Sequence, residues 1–76
     1  MRRDRSAVTA VRIRELRKEN GISQQKFADA VGVTKMTVVF WERGHCAPNP
    51  FNRAMIADVF GCSVEWLTGK EEGRSS

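Results

Sequence analysis

Apolar residues along this 76-residue chain recur at intervals of three and four, and no stretch alternates strictly between apolar and polar positions. That pattern predicts helices and no strands, an all-α protein. The best-punctuated stretch is Ser23–Gly44. Phe27, Ala28 and Val31 make one inward face, and Gly32 stands where a helix exits through a left-handed residue. Ser23 and Thr34 each precede a helical run as N-caps. Ile22 with Phe27, and Val33 with Val38, have the spacing of hydrophobic staples. Lys26 and Thr37 occupy the third helical positions, so neither start is a full capping box.

The second of these helices is apolar nearly all round, and its phase must be decided by angle. At about 100° per residue Thr34, Val38 and Trp41 fall on one seam, leaving Lys35, Met36, Val39, Phe40 and Arg43 outward. The opposite phase would bury Arg43 and leave Trp41 in water, and is rejected. Before this pair of helices, Val8, Val11 or Arg12, Ile13 and Leu16 predict a helix that begins near Ser6 or Thr9 and is closed by Asn20-Gly21. After it, Asn49-Pro50 reads as a cap followed by proline at the first helical position. The next helix carries Ile56, Ala57 and Phe60 as core candidates, with Phe51, Met55 and Val59 as a second apolar row. Gly61 ends it, and Ser63 caps a short last helix with Val64, Trp66 and Leu67. The predicted helices are thus about 9–20, 24–31, 35–43, 50–60 and 64–68. Residues 1–8 are read as a flexible basic arm, 9–69 as one compact five-helix domain, and 70–76 as a frayed tail.

Charge changes the picture more than composition does. Residues 1–20 hold seven Lys/Arg against three Asp/Glu, a balance that equals the net charge of the entire chain, +4. Residues 21–44 carry +1 and residues 45–76 carry −1, so the basic character belongs to the amino-terminal half and favours a polyanionic partner. No apolar run approaches the ~20 residues of a membrane span, and no apolar segment follows the basic amino end as in a secretory signal. A cytoplasmic protein without a membrane partner is expected, with Cys46 and Cys62 reduced. Catalysis finds no support: His45-Cys46 lacks a third, orienting group, and there is no glycine-rich cradle. One histidine and two separated cysteines make no zinc site. Neither enzyme activity, cofactor, metal nor small-molecule substrate is expected.

Several motifs stand together in register: Arg12-Ile13-Arg14-Glu15-Leu16-Arg17-Lys18, Gly21-Ile22-Ser23-Gln24-Gln25, Phe27-Ala28, Val31-Gly32-Val33-Thr34, Trp41-Glu42-Arg43-Gly44 and Ser63-Val64-Glu65-Trp66-Leu67. Together they resemble the lambda-repressor-like (Cro/C1-type, XRE) helix-turn-helix DNA-binding domain over about residues 9–69, most closely the amino-terminal domains of lambdoid-phage repressors. The resemblance implies a compact five-helix bundle, an ion pair between Arg17 and Glu42, and a phosphate-clamping role for Gln24. Thr34, Arg43, His45 and Asn49 are further phosphate candidates.

Base reading then falls to the outward residues of the third helix, in the major groove: Lys35, Met36, Thr37, Val39 and Phe40. Lys35 can donate to guanine, and Met36 occupies a position where resembling repressors hold an apolar residue against thymine methyls. Val39 and Phe40 depart from the polar residues usual there. The expected function is a sequence-specific transcriptional regulator of phage, prophage or bacterial repressor type, a homodimer on a two-fold operator in double-stranded DNA. The alternative is a protein-interaction module of the same fold, such as an antitoxin-like partner binder, favoured by the apolar Met36–Val39–Phe40 patch. Phe51, Met55, Val59, Cys62 and Trp66 are candidates for a dimer interface, and equally for plain core.

Overall fold

The computed structural model describes residues 5–70. Five helices follow one another: α1 (Arg5–Glu19), α2 (Gln24–Val31), α3 (Lys35–Glu42), α4 (Pro50–Phe60) and α5 (Val64–Leu67). Among the described residues there is no strand.

Each of the last four helices starts on a side chain that satisfies an otherwise orphaned backbone N–H. The Ser23 hydroxyl accepts from the Lys26 N–H, and the Thr34 hydroxyl from the Thr37 N–H. The Asn49 carboxamide oxygen accepts from the Asn52 N–H at 2.8 Å, and the Ser63 hydroxyl from the Trp66 N–H at 3.0 Å. The turn that matters most follows α2. Gly32 sits at φ +80°, and the N–H groups of Gly32 and Val33 both reach the Ala28 carbonyl, at 2.9 and 3.0 Å. This closure needs the left-handed conformation that glycine alone adopts cheaply, and it sends the chain into α3 after a three-residue turn.

The core is one cluster. Ile13, Leu16, Phe27, Ala28, Val31, Val38, Trp41, Ile56, Cys62, Trp66 and Leu67 are buried together, with Ile22, Val33, Met55, Ala57 and Phe60 packed at its edge. Phe27 of α2 and Phe60 of α4 stack with ring centroids 4.6 Å apart, and that contact ties the helix pair to the scaffold behind it. Neither cysteine is in a disulfide; Cys46 is exposed and Cys62 buried.

Two expectations need correction in α1. The helix begins at Arg5, so residues 5–8 are its first turn; the remainder of the expected arm, residues 1–4, lies outside the described residues, as do residues 71–76 of the expected tail. Val11 does not face inward: it is 53% exposed. Its Cα direction lies about 160° from that of Ile13 on a 100° helical wheel, whereas Thr9, Ala10, Ile13 and Leu16 share the buried side. Thr9 is buried without penalty because its hydroxyl donates to the Leu67 carbonyl at 3.2 Å. Arg12, the other residue considered for that stripe, is half-buried with its guanidinium 4.7 Å over the Trp66 ring.

Candidate nucleic-acid interface

α3 has two unlike faces, and the packing of one determines what the other presents. Val38 and Trp41 are buried in the core, and so is Glu42, at 5% exposure. Opposite them Lys35, Met36 and Phe40 are exposed, Met36 at 56% and Phe40 at 42%, with Val39 half-buried beside them. The structure therefore brings Lys35, Met36, Val39 and Phe40 to the outer side of one short helix. Thr37 is half-buried, its hydroxyl 2.9 Å from that of Thr34, so both threonines are engaged in starting the helix. Past the end of α3, Arg43 and His45 are exposed, and the His45 ring tilts against Phe40 with centroids 5.9 Å apart. Asn49 is exposed as well; its carboxamide oxygen is committed to capping α4, while its NH₂ group keeps two donors.

Glu42 fixes the back of this helix to two others. Arg17 of α1 donates to its carboxylate through Nε at 2.7 Å and Nη2 at 3.0 Å, a bidentate fork, and Nη1 reaches the Ile22 carbonyl at 3.4 Å. The hydrogen bond to Glu42 raises the Arg17 pKa, against the opposing effect of burial and with the help of the carboxylate charge. Gln24, the first residue of α2, donates its amide Nε2–H to Glu42 Oε1 at 3.2 Å. One carboxylate thus holds the starts and ends of three helices in register, and it leaves Gln24 one further N–H.

Sequence reasoning missed one partner in this cluster. Arg14 of α1 donates through Nη2 to the Glu42 backbone carbonyl at 2.6 Å, and its Nε lies 3.9 Å from Glu42 Oε1. The signal was present in the spacing, since Arg14 and Arg17 are three apart and so share a helix face.

The five residues considered for a dimer interface or for plain core divide between the two. Cys62 and Trp66 are buried within the chain, Trp66 beneath the Arg12 guanidinium. Phe51, at 72% exposure, and Val59 remain on the surface of α4, while Met55 is half-buried against the core. Among the described residues no three His, Cys, Asp or Glu side chains cluster as metal ligands, and no helix is long and apolar enough to cross a membrane.

A helix-turn-helix family model (HTH_3) matches residues 13–67, from the core residue Ile13 of α1 to Leu67, the last residue of α5. The chain belongs to the helix-turn-helix family. Over 54 residues it is 46% identical to an HTH-type transcriptional regulator of Haemophilus influenzae, covering 70% of this chain and 22% of that protein. It is 35% identical over 65 residues to the HTH-type transcriptional regulator AnsR of Bacillus subtilis, covering 86% of this chain and 56% of AnsR. The chain therefore spans less than two thirds of the length of either relative. Among solved structures it is similar to the P22 c2 repressor protein in complex with a synthetic operator, with TM-score 0.78 and 30% identity over 83% of this chain and 96% of that one. The five-helix architecture is that of the lambda-repressor-like DNA-binding fold.

Proposed function

We propose that this helix-turn-helix chain is a sequence-specific DNA-binding transcriptional regulator of repressor type. It acts in the cytoplasm and places α3 in the major groove of a two-fold operator. The observation that carries the proposal is the division of α3 between a face locked by Val38, Trp41 and Glu42 and an outer face presenting Lys35, Met36 and Phe40. A reading helix must be held rigidly while its outer side chains stay free to meet base edges. Similarity to the P22 c2 repressor, solved with an operator, supports the same reading.

The roles follow from the chemistry. Lys35 donates to guanine O6 or N7, and Met36, Val39 and Phe40 make the apolar contacts for which the only major-groove counterpart is a pyrimidine C5-methyl group. Gln24, with one N–H beyond its bond to Glu42, meets a phosphate at the positive end of α2. Arg43, His45 and Asn49 contact the backbone on the other side of α3, and Thr34 adds a contact at its start. One domain grips a half-site, so a homodimer would span two half-sites about one helical turn apart, roughly 10 base pairs. Its protein contact would use the exposed part of α4 around Phe51 and Val59.

Selection of bound sites from random DNA tests this. A two-fold consensus is expected, bound less tightly as salt rises. Recovery of no consensus, together with salt-insensitive capture of a protein by the Met36–Phe40 patch, would assign that face to a protein partner instead.

A further inference from the structure

We infer that Arg14 is a backbone-phosphate contact, forming with Gln24 a two-donor clamp that Glu42 holds in place. The inference rests on the operator reading above and adds to it a residue of α1.

Two arginines, Arg14 and Arg17, converge on the single carboxylate of Glu42. Arg17 takes both carboxylate oxygens in a short fork, so its charge is compensated. Arg14 stands 3.9 Å from Oε1, and its short bond goes to the neutral carbonyl of Glu42. The pair of arginines thus exceeds the carboxylate by one positive charge, and that excess sits on Arg14. The neighbouring carboxylate on α1, Glu15, lies 3.8 Å from Arg12. Arg14 keeps 44% of its side-chain surface in solvent, which leaves the outer N–H groups of a five-donor fork reachable.

Gln24 stands on the same carboxylate oxygen, with Nε2 3.2 Å from Oε1. The Arg14 and Gln24 nitrogens are therefore at most about 7 Å apart, a gap that two oxygens of one phosphate bridge with hydrogen bonds of about 2.9 Å each. The bond from Arg14 to the Glu42 carbonyl also ties the clamp to the end of α3, so gripping the backbone and setting the depth of the reading helix become one event. A guanidinium suits this task better than an ammonium, because its planar fork serves a carbonyl and a phosphate at once.

The test uses a duplex selected with the unaltered chain and measures affinity against salt for Arg14→Gln and Arg14→Lys. Gln keeps a neutral polar side chain, too short for the Glu42 carbonyl, and removes the charge; Lys keeps the charge. Arg14→Gln is expected to flatten the slope of log K against log salt by about 0.9, the value of one phosphate contact, with base preference and thermal midpoint unchanged. Arg14→Lys should restore most of the slope. A neutral methylphosphonate at the clamped position should weaken the unaltered chain more than it weakens Arg14→Gln, which keeps only the Gln24 donor to that phosphate. Full affinity and slope in Arg14→Gln would overturn the inference alone, because Arg14 would then serve only to cap α3. Absence of salt-dependent DNA binding by the unaltered chain would overturn the operator reading and this inference together.

Discussion

Glu42 is the residue on which the site depends. Its carboxylate is buried, yet it receives two donors from Arg17 and one from Gln24, so the charge is solvated by protein where water is excluded. Replacing Glu42 by Ala strands the Arg17 guanidinium against the core; replacing Arg17 by Ala leaves the carboxylate with Gln24 and Arg14. Glu42→Ala is therefore expected to be the more damaging, at about 2–4 kcal/mol, below the upper range for fully buried pairs because Arg17 is partly in solvent. Urea titration of both variants gives the comparison, and equal losses would mean that Glu42 serves Arg17 alone. The raised Arg17 pKa implies stability that is complete below the unfolded value and lost only as pH climbs past the folded one. That window lies in strong alkali, so Arg17 should contribute no pH dependence between about pH 5 and 9, which thermal midpoints of the unaltered chain and of Arg17→Ala across that range would check.

At the scale of the element, α3 predicts two classes of mutant. Val38→Ala and Trp41→Ala remove buried side chains and should cost about 1–5 kcal/mol, with DNA binding failing because the fold does. Lys35→Ala, Met36→Ala and Phe40→Ala touch exposed positions and should change stability by no more than about 0.5–1 kcal/mol while altering base preference. Thermal melts and site selection on the same five proteins separate the classes. Gly32→Ala should destabilise by more than about 1 kcal/mol even though open space surrounds the added carbon, because the cost lies in φ +80°.

These elements were legible in the sequence where a cap, a glycine and a helical period agreed, as they do from Ser23 to Gly44. They were less so in α1. Ser6 and Thr9 both offer a start, and the helix begins at Arg5; of Val11 and Arg12, the two candidates for the inward stripe, the apolar one lies at an angle that places it outside. Gln24 and Glu42 could not be joined from spacing, since a bond across 18 residues depends on how two helices cross.

Across the described residues, the five positions considered for self-association or for core are divided between the two. Cys62 and Trp66 complete the core, leaving Phe51 and Val59 as exposed apolar residues on α4. On the proposed reading these two side chains would centre the contact between two copies on the operator. Phe51→Ser and Val59→Ser are expected to lower cooperative binding to a two-fold site while affinity for an isolated half-site stays unchanged, as mobility shifts on the two duplexes would reveal. Equal cooperativity in the variants would place the contact elsewhere.

The amino-terminal concentration of charge matters at this scale too: on the proposed reading it would draw the chain to any DNA, while α3 would choose among sequences. The most direct measurement is the affinity of the unaltered chain for its selected operator and for a scrambled duplex of equal length and base composition, at the same salt concentrations. Binding to the operator about 1,000-fold or more tighter, with both affinities falling linearly as log salt rises, is the expected result. Equal affinity for the two duplexes would contradict the assignment of α3 as a reading helix.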